Sequence, residues 1–149
     1  MKRLVLVDSG HAHLSVLHAL TRERPSEVEI VLISPNNYQI YSGMLPGWMA
    51  GHYKKFQCQI DLQSLVQAAR VHQVVNLISG MDAEHRFVSL PEGKHIEYDI
   101  LSLDVGSETD LSWVDLPQEN LIPIRPLDNF IQAWPRILSS KKKNQIIVL

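Results

Sequence analysis

The stretch KRLVLVDSGHAHLSVLHAL, residues 2–20, decides the fold of this chain. Residues 4–7 form a short, uninterrupted run of apolar, β-favouring side chains, which is typical of a strand buried on both faces of a parallel sheet. The run stops at Asp8-Ser9-Gly10, and apolar residues then recur at helical spacing. Pro25 ends that helix, and a second apolar run follows at 28–33. The pattern predicts a strand, a turn, a helix and a second strand, joined by a right-handed crossover.

The rest of the chain continues this pattern with shorter elements. A loop at 34–51 is rich in large apolar side chains, so we expect it to lie against the domain, a neighbour or a ligand. The further predicted elements are a helix at 60–70, a strand at 74–78, a hairpin formed by 86–90 and 95–98, a strand at 100–103, a helix at 128–138, a lysine-rich linker at 141–143 and a strand at 145–149. The predicted fold class is therefore α/β, a Rossmann-like fold whose mostly parallel sheet carries flanking helices and a small antiparallel hairpin.

Size, charge and cysteine content exclude several classes of protein. The chain has 149 residues, which suits a single domain at about 150 residues per domain. Its formal net charge is −2, and it has no basic stripe of the kind that marks nucleic-acid binding. Cys58 is the single cysteine, which rules out an internal disulfide, a dithiol redox centre and a multi-cysteine zinc site. No run approaches the ~18 apolar residues of a membrane helix, so we expect a cytoplasmic protein without a transmembrane segment.

The turn at residues 8–13 carries the strongest local signal for a ligand. A dinucleotide site uses the pattern Gly-x-Gly-x-x-Gly between a strand and a helix, and the helix N-terminus then faces the diphosphate. Here the three positions hold Asp8, Gly10 and His13, so only the second glycine is present. Ser34 stands where the second strand usually ends in an acidic residue for the ribose hydroxyls. These residues alone leave a nucleotide site and an ordinary strand-to-helix turn both open.

Four segments together carry a resemblance to a known family: GHAH at 10–13, YSGMLPG at 41–47, AGHY at 50–53 and YDILSLDVGS at 98–107. With them the sequence resembles the FAD half of the FAD-dependent pyridine nucleotide-disulfide oxidoreductase superfamily. The most similar branch lies near the type II NADH dehydrogenases and includes flavoproteins fused to selenide, water dikinase. The resemblance implies the FAD-binding portion of an oxidoreductase that takes hydride from NAD(P)H onto FAD and passes the electrons to an acceptor, with a quinone as one candidate.

The resemblance also implies where the cofactor lies. The residues implied near the FAD diphosphate are Gly10, His11 and Ala12, and those implied near the adenosine ribose are Ser34 and Pro35. The flavin ring is approached by Ser42, Gly43, Met44, Leu45 and Pro46. The turn that closes over the flavin nucleotide consists of Val105, Gly106 and Ser107. The resemblance assigns no catalytic residue and no metal ligand within the chain.

The resemblance further divides the chain into two parts. Residues 1–140 match the N-terminal part of an FAD-binding domain, and 141–149 match a linker and the first strand of an NAD(P)H-binding domain. We therefore expect the sequence to continue into that domain, and the 149-residue chain alone to be inactive. In this family a later segment returns to add a last strand and an acidic FAD contact. Without that strand we expect an exposed apolar sheet edge, with homodimerisation as one consequence.

Asp8 is the main departure from the family, which usually has glycine at that position. A carboxylate about 4 Å from a diphosphate charge costs roughly 1–4 kcal/mol at effective dielectric constants of about 80 to about 20. We therefore expect Asp8 to weaken the binding of FAD.

Other interpretations of the same residues remain weaker or open. Closely spaced histidines near residue 11 suggest a metal site, but residues two apart do not share a helix face. Ser9 lies on a strand-to-helix turn without the Gly-x-Ser-x-Gly frame of a hydrolase.

Two further functions stay open. One is a non-catalytic, degenerate Rossmann-like nucleotide-binding module, in which Asp8 and Ser34 mark a lost site. The other is an interaction domain that uses the apolar loop at 38–53 as a partner surface.

Overall fold

The computed structural model describes residues 1–115 and 121–139. The elements in chain order are β1 (Lys2–Val7), α1 (His11–Leu20), β2 (Val28–Ser34), β3 (Tyr38–Ile40), α2 (Leu45–Met49), β4 (Gln59–Asp61), α3 (Leu62–Ala68), β5 (His72–Val75), β6 (Gly80–Asp82), β7 (Phe87–Ser89), β8 (His95–Glu97), β9 (Ile100–Leu103) and α4 (Leu127–Ser139). A four-stranded parallel sheet has the order β5-β2-β1-β9. In it, Leu4 of β1 pairs with Ile30 on one side and with Ile100 on the other. The predicted α/β fold with a mostly parallel sheet is confirmed.

Both faces of this parallel sheet are buried, which explains the uninterrupted apolar runs in β1 and β2. Successive side chains of a strand point to opposite faces. Leu6 therefore packs in one core with Leu17 of α1 and Val66 of α3. Its neighbour Val5 packs in a second core with Val88 of β7. The helices α1 and α3 thus cover one face of the sheet, and antiparallel strands cover the other.

The antiparallel part of the fold is larger than the predicted hairpin. β7 and β8 form that hairpin, and β6 adds a third strand on the other side of β7. Met81 of β6 pairs with Val88 of β7. The sequence of β6 is GMD, and glycine and aspartate are depleted in strands, so composition alone does not indicate this strand.

Two other short strands occupy places where the sequence predicts a loop and the start of a helix. β3 pairs antiparallel with β4, with Tyr38 opposite Asp61. The helix predicted at 60–70 accordingly begins at Leu62, and the strand predicted at 74–78 occurs two residues earlier as β5. Three-residue strands show too little alternation to be recognised from sequence. The strand predicted at 145–149 and the linker at 141–143 lie outside the described residues, so the domain boundary at 140 remains a prediction.

The chain forms two compact units. The first comprises Met1–Tyr41 and Lys55–Gly106, and it contains the parallel sheet. The second comprises Ser42–Lys54 and the described residues from Ser107 onward, and it contains α2 and α4. Among the residues with a described structure, no helix is long and apolar enough to cross a membrane.

Within the described part of the chain, β9 is an edge strand of the parallel sheet. Its residues Ile100 and Leu103 are 56% and 48% exposed. An apolar edge of this kind is able to pair with a further strand. Homodimerisation through this edge remains a prediction.

Asp61 is the N-cap of α3. One carboxylate oxygen accepts a hydrogen bond from the Gln63 N–H at 3.0 Å, and the other accepts one from the Ser64 hydroxyl. The Ser64 hydroxyl and the backbone N–H groups hold the pKa of Asp61 below its ordinary value of 3.8. Because the pKa is lowered in the folded state, this stabilisation is present above the unfolded-state pKa. It is lost as the pH falls through the folded-state value.

We predict that Asp61→Ala lowers the urea midpoint of unfolding at pH 7, because the first turn of α3 loses its cap. The difference in urea midpoint between Asp61→Ala and the wild type should become smaller as the pH falls below about 4. Asp61→Asn is the matched control, because its amide oxygen still accepts from the backbone and keeps most of the stability at pH 7. Urea unfolding at pH 7 and pH 3 measures both effects, and a difference that does not change with pH would contradict the prediction.

Candidate functional site

The turn between β1 and α1 has the backbone that the first glycine of the dinucleotide pattern would provide. Asp8 lies there with a φ of 66°, in the left-handed region that aspartate tolerates better than most residues. Its N–H donates to the Ile33 carbonyl at 2.7 Å. Its carboxylate accepts a hydrogen bond from the Ser9 N–H at 2.7 Å. The tight turn therefore forms without glycine at position 8, and it carries a carboxylate.

Gly10, at the second position of the pattern, is the N-cap of α1 and is approached closely by Asp104. A Cβ added at Gly10 would overlap the Asp104 carboxylate. That carboxylate accepts a hydrogen bond from the His13 N–H, in the first turn of α1, at 3.0 Å. The backbone of Asp104 is held by a hydrogen bond from its N–H to the Val7 carbonyl, also 3.0 Å long. In the dinucleotide pattern this glycine lets the diphosphate approach the backbone. Here the Asp104 carboxylate of the same chain makes that approach.

Asp104 is a residue of this turn's surroundings that the sequence analysis did not single out. It directly follows β9, and β9 pairs with β1 in parallel, so both strands end at the same edge of the sheet. An acidic residue after a predicted strand, next to a predicted helix start, is the signal that could have found it. The sequence does not give the order of the strands, which is needed to place the end of β9 beside the start of α1.

His13, at the third position, is buried and links three elements. Its Nδ1 lies 2.7 Å from the Asp8 carbonyl oxygen, and its Nε2 lies 2.8 Å from Oγ of Ser102 in β9. A carbonyl oxygen only accepts hydrogen bonds, so Nδ1 donates to the Asp8 carbonyl, while Nε2 and the Ser102 hydroxyl form the second hydrogen bond. The imidazole therefore ties the turn and α1 to β9, in a place where the pattern has a glycine for close helix packing.

Ser34, the last residue of β2, is also buried at the same edge of the sheet. Its hydroxyl donates to the Asn36 carbonyl at 2.9 Å and accepts from the Gln73 amide at 3.2 Å. Pro35 follows in an exposed position. The Ser34 side chain is therefore held by neighbours in the chain, with one lone pair of its oxygen left to accept another donor.

The remaining site residues implied by the resemblance fall into both units. In the first unit, His11 and Ala12 are exposed in the first turn of α1, and the centroids of the His11 and Tyr41 rings are 5.3 Å apart. Val105 and Gly106 follow β9, and Gly106 has a φ of 71°, which favours glycine. The second unit holds the other implied residues, Ser42, Gly43, Met44, Leu45, Pro46 and Ser107. The structure thus brings the residues around Gly10 and Ser34 together at the carboxyl ends of the parallel strands β1 and β2.

The chemistry of this edge suits an anion. The first N–H groups of a helix have no partner within the helix, and the helix dipole adds a partial positive charge. Asp104 supplies the anion for the His13 N–H. The donors therefore fit a diphosphate group, while the space over Gly10 is held by the Asp104 carboxylate. Within residues 1–115 and 121–139, no group of three or more His, Cys, Asp or Glu side chains is placed to hold a metal ion.

We predict that His13→Ala lowers the free energy of unfolding by about 1–3 kcal/mol, because the part-buried Ser102 hydroxyl and Asp8 carbonyl lose their partner. In a double-mutant cycle with Ser102→Ala, measured by urea unfolding, the two losses should not add. His18→Ala, at an exposed position of the same helix, is the control and should change stability by less than about 0.5 kcal/mol. Strictly additive losses would show that the bond between His13 and Ser102 contributes nothing.

Comparison with curated proteins finds a relative in sequence. No family model matches the sequence. The NADH dehydrogenase-like protein YutJ of Bacillus subtilis (strain 168) is 27% identical over 131 aligned positions, covering 73% of this chain and 37% of that protein. The chain therefore spans little more than a third of the length of this relative.

Solved structures share the fold at lower identity. The sulfide:quinone oxidoreductase from Aquifex aeolicus superposes with a TM-score of 0.77 and 20% identity, over 93% of this chain and 32% of that one. NDH2 from Plasmodium falciparum in complex with NADH superposes with a TM-score of 0.61 and 18% identity, over 76% of this chain and 24% of that one. The chain is thus similar in sequence to an NADH dehydrogenase-like protein, and it shares its fold with a sulfide:quinone oxidoreductase and with NDH2.

Proposed function

We propose that the chain binds FAD, as the FAD-binding part of a flavin-dependent NAD(P)H oxidoreductase. The observation that carries the proposal is the turn after β1, with its left-handed residue at position 8 and Gly10 at the N-terminus of α1. In open α/β sheets nucleotides bind at the carboxyl ends of the strands, where helix N-termini face the phosphates. The similarity to an NADH dehydrogenase-like protein and to NDH2 in complex with NADH supports NAD(P)H as the co-substrate.

The FAD diphosphate is assigned to the first turn of α1. The N–H groups of His11 and Ala12 lie at the helix N-terminus, where hydrogen-bond donors and the helix dipole favour an anion. Gly10 has no side chain of its own over its Cα, where the Asp104 carboxylate now lies. These residues bind and orient the cofactor. When bound, the flavin supplies the redox chemistry by accepting hydride from NAD(P)H and passing the electrons on.

The adenosine ribose is assigned to the end of β2, beside Ser34 and Pro35. The Ser34 hydroxyl donates to the Asn36 carbonyl, so the ribose would be the donor in its hydrogen bond with Ser34. Serine brings no charge to this contact. Recognition of the ribose is therefore weaker here than with the acidic residue that usually ends this strand.

The flavin ring is assigned to Ser42, Gly43, Met44, Leu45 and Pro46, as the resemblance implies. Ser42–Met44 form a 3-10 turn that leads into α2, and Leu45 and Pro46 open that helix. An apolar wall of this kind with a few backbone donors suits a planar ring. The closing turn over the flavin nucleotide is assigned to Val105, Gly106 and Ser107, of which Gly106 has the left-handed backbone.

The chain spans 37% of its curated relative, so we propose the remaining parts of the activity for a longer parent protein. We assign the nicotinamide site to an NAD(P)H-binding domain that follows in the same parent chain. We assign the electron acceptor to a small molecule such as a quinone, which a sulfide:quinone oxidoreductase of the same fold supports. The proposed location is the cytoplasm, with peripheral membrane contact where the acceptor is a membrane quinone.

A second candidate function is a degenerate Rossmann-like module that no longer binds a nucleotide. The carboxylates of Asp8 and Asp104 favour it, because Asp8 lies in the turn that would hold the diphosphate and Asp104 accepts a hydrogen bond from the first turn of α1. Two like charges beside a phosphate weaken its binding. The two functions differ in whether the chain takes up FAD.

Titration of FAD into the purified chain, followed by flavin fluorescence and by calorimetry, tests the proposed function. We expect saturable binding of one FAD per chain and a yellow protein after gel filtration. Absence of saturable binding would contradict the proposed function and support the degenerate module.

We predict that Asp8→Gly and Asp8→Asn each tighten FAD binding by about 5-fold to several-hundred-fold, because they remove a carboxylate about 4 Å from the diphosphate. Asparagine also tolerates a positive φ, so equal gains in both variants assign the effect to charge. Asp99→Asn removes the same charge before β9, at the opposite end of that strand, and is the control. The same affinity in the wild type and in both Asp8 variants would contradict this placement of the diphosphate.

A further inference from the structure

We propose that the Asp104 carboxylate competes with the cofactor's diphosphate for the N-terminus of α1. This residue, rather than Asp8 alone, then sets the affinity of the chain for FAD. The inference rests on the proposed function, because it concerns the same site. It adds a carboxylate at the N-terminus of α1, which the dinucleotide pattern does not include.

The position of Asp104 is the first argument. Its Oδ2 accepts a hydrogen bond from the His13 N–H at 3.0 Å, within the first turn of α1. The same carboxylate lies over the Cα of Gly10, in the space that a Cβ would fill. A diphosphate bound to α1 needs these first-turn donors and this open face of the glycine. The carboxylate and the diphosphate therefore exclude each other.

The charge of Asp104 is the second argument. The ion pairs found among the described residues involve neither Asp104 nor Asp8. The helix N-terminus is accordingly what compensates the Asp104 carboxylate, through the His13 N–H and the helix dipole. A diphosphate that binds here is repelled by the charges of both Asp104 and Asp8. It must displace the Asp104 carboxylate, and the Asp8 carboxylate stays beside it.

The attachment of Asp104 allows this displacement. Its N–H donates to the Val7 carbonyl at 3.0 Å, which extends the pairing of β9 with β1 by one bond. The side chain is able to rotate about its Cα–Cβ bond while this backbone bond remains. FAD then binds only to molecules whose Asp104 side chain has left the helix. The apparent affinity is reduced by the fraction of molecules in that state.

Calorimetric titration of three variants with FAD and, separately, with inorganic pyrophosphate tests the inference. Asp104→Asn keeps an amide oxygen that accepts from the His13 N–H, so it removes charge while retaining the cap. Asp104→Ala removes both. Asp99→Asn is the control, because its carboxylate accepts from the Arg3 N–H at the other end of β9. Thermal unfolding and circular dichroism of each variant establish that it is folded, and Asp104→Asn carries the test where Asp104→Ala is unstable.

We expect both Asp104 variants to bind FAD and pyrophosphate at least about fivefold more tightly than the wild type, and the control to be unchanged. Binding of FAD by the Asp104 variants alone, with none by the wild type, would support the exclusion of the diphosphate by Asp104 and would contradict the proposed function for the unmodified chain. FAD binding that is equal in all proteins, or weaker in the Asp104 variants, would overturn the inference and leave the proposed function standing. No binding of either ligand by any protein would overturn both.

Discussion

The N–H groups at the N-terminus of α1 favour an anion, and Asp104 supplies one from within the chain. The N–H groups of a first helical turn have no partner within the helix, and their dipoles add up to a partial positive charge. The strand order β5-β2-β1-β9 brings the end of β9 beside the start of this helix. Asp104 follows β9 directly, and its carboxylate reaches the His13 N–H. This N–H of the helix therefore has its partner within the chain, and under the proposed function the FAD diphosphate replaces that carboxylate.

The same turn shows how a dinucleotide fold survives the loss of two of its three glycines. At the first position Asp8 adopts the left-handed backbone itself and accepts a hydrogen bond from the next residue. At the third position the ring of His13 takes the space that glycine leaves, and its two nitrogens contact Asp8 and Ser102. Backbone geometry and packing are thus preserved by other means. The middle position keeps its glycine, because a side chain there would collide with Asp104.

The parts of the fold that were predictable are those with a local pattern. β1 and β2 are continuous apolar runs because both of their faces are buried, and the α1 helix shows its period over ten residues. The strands β3, β4 and β6 have three residues each, which is too short for an alternation to appear. Gly10 and the turn follow from a sequence pattern, whereas the contact between Asp104 and His13 joins residues 91 positions apart. A contact of that kind becomes visible only when the strand order is known.

A crystal structure of the chain grown with FAD tests the central claim most directly. The account predicts that the diphosphate accepts hydrogen bonds from the first-turn N–H groups of α1 over Gly10, and that the Asp104 carboxylate has rotated away from the His13 N–H. A diphosphate bound elsewhere, or one bound while Asp104 still accepts from the His13 N–H, would contradict it.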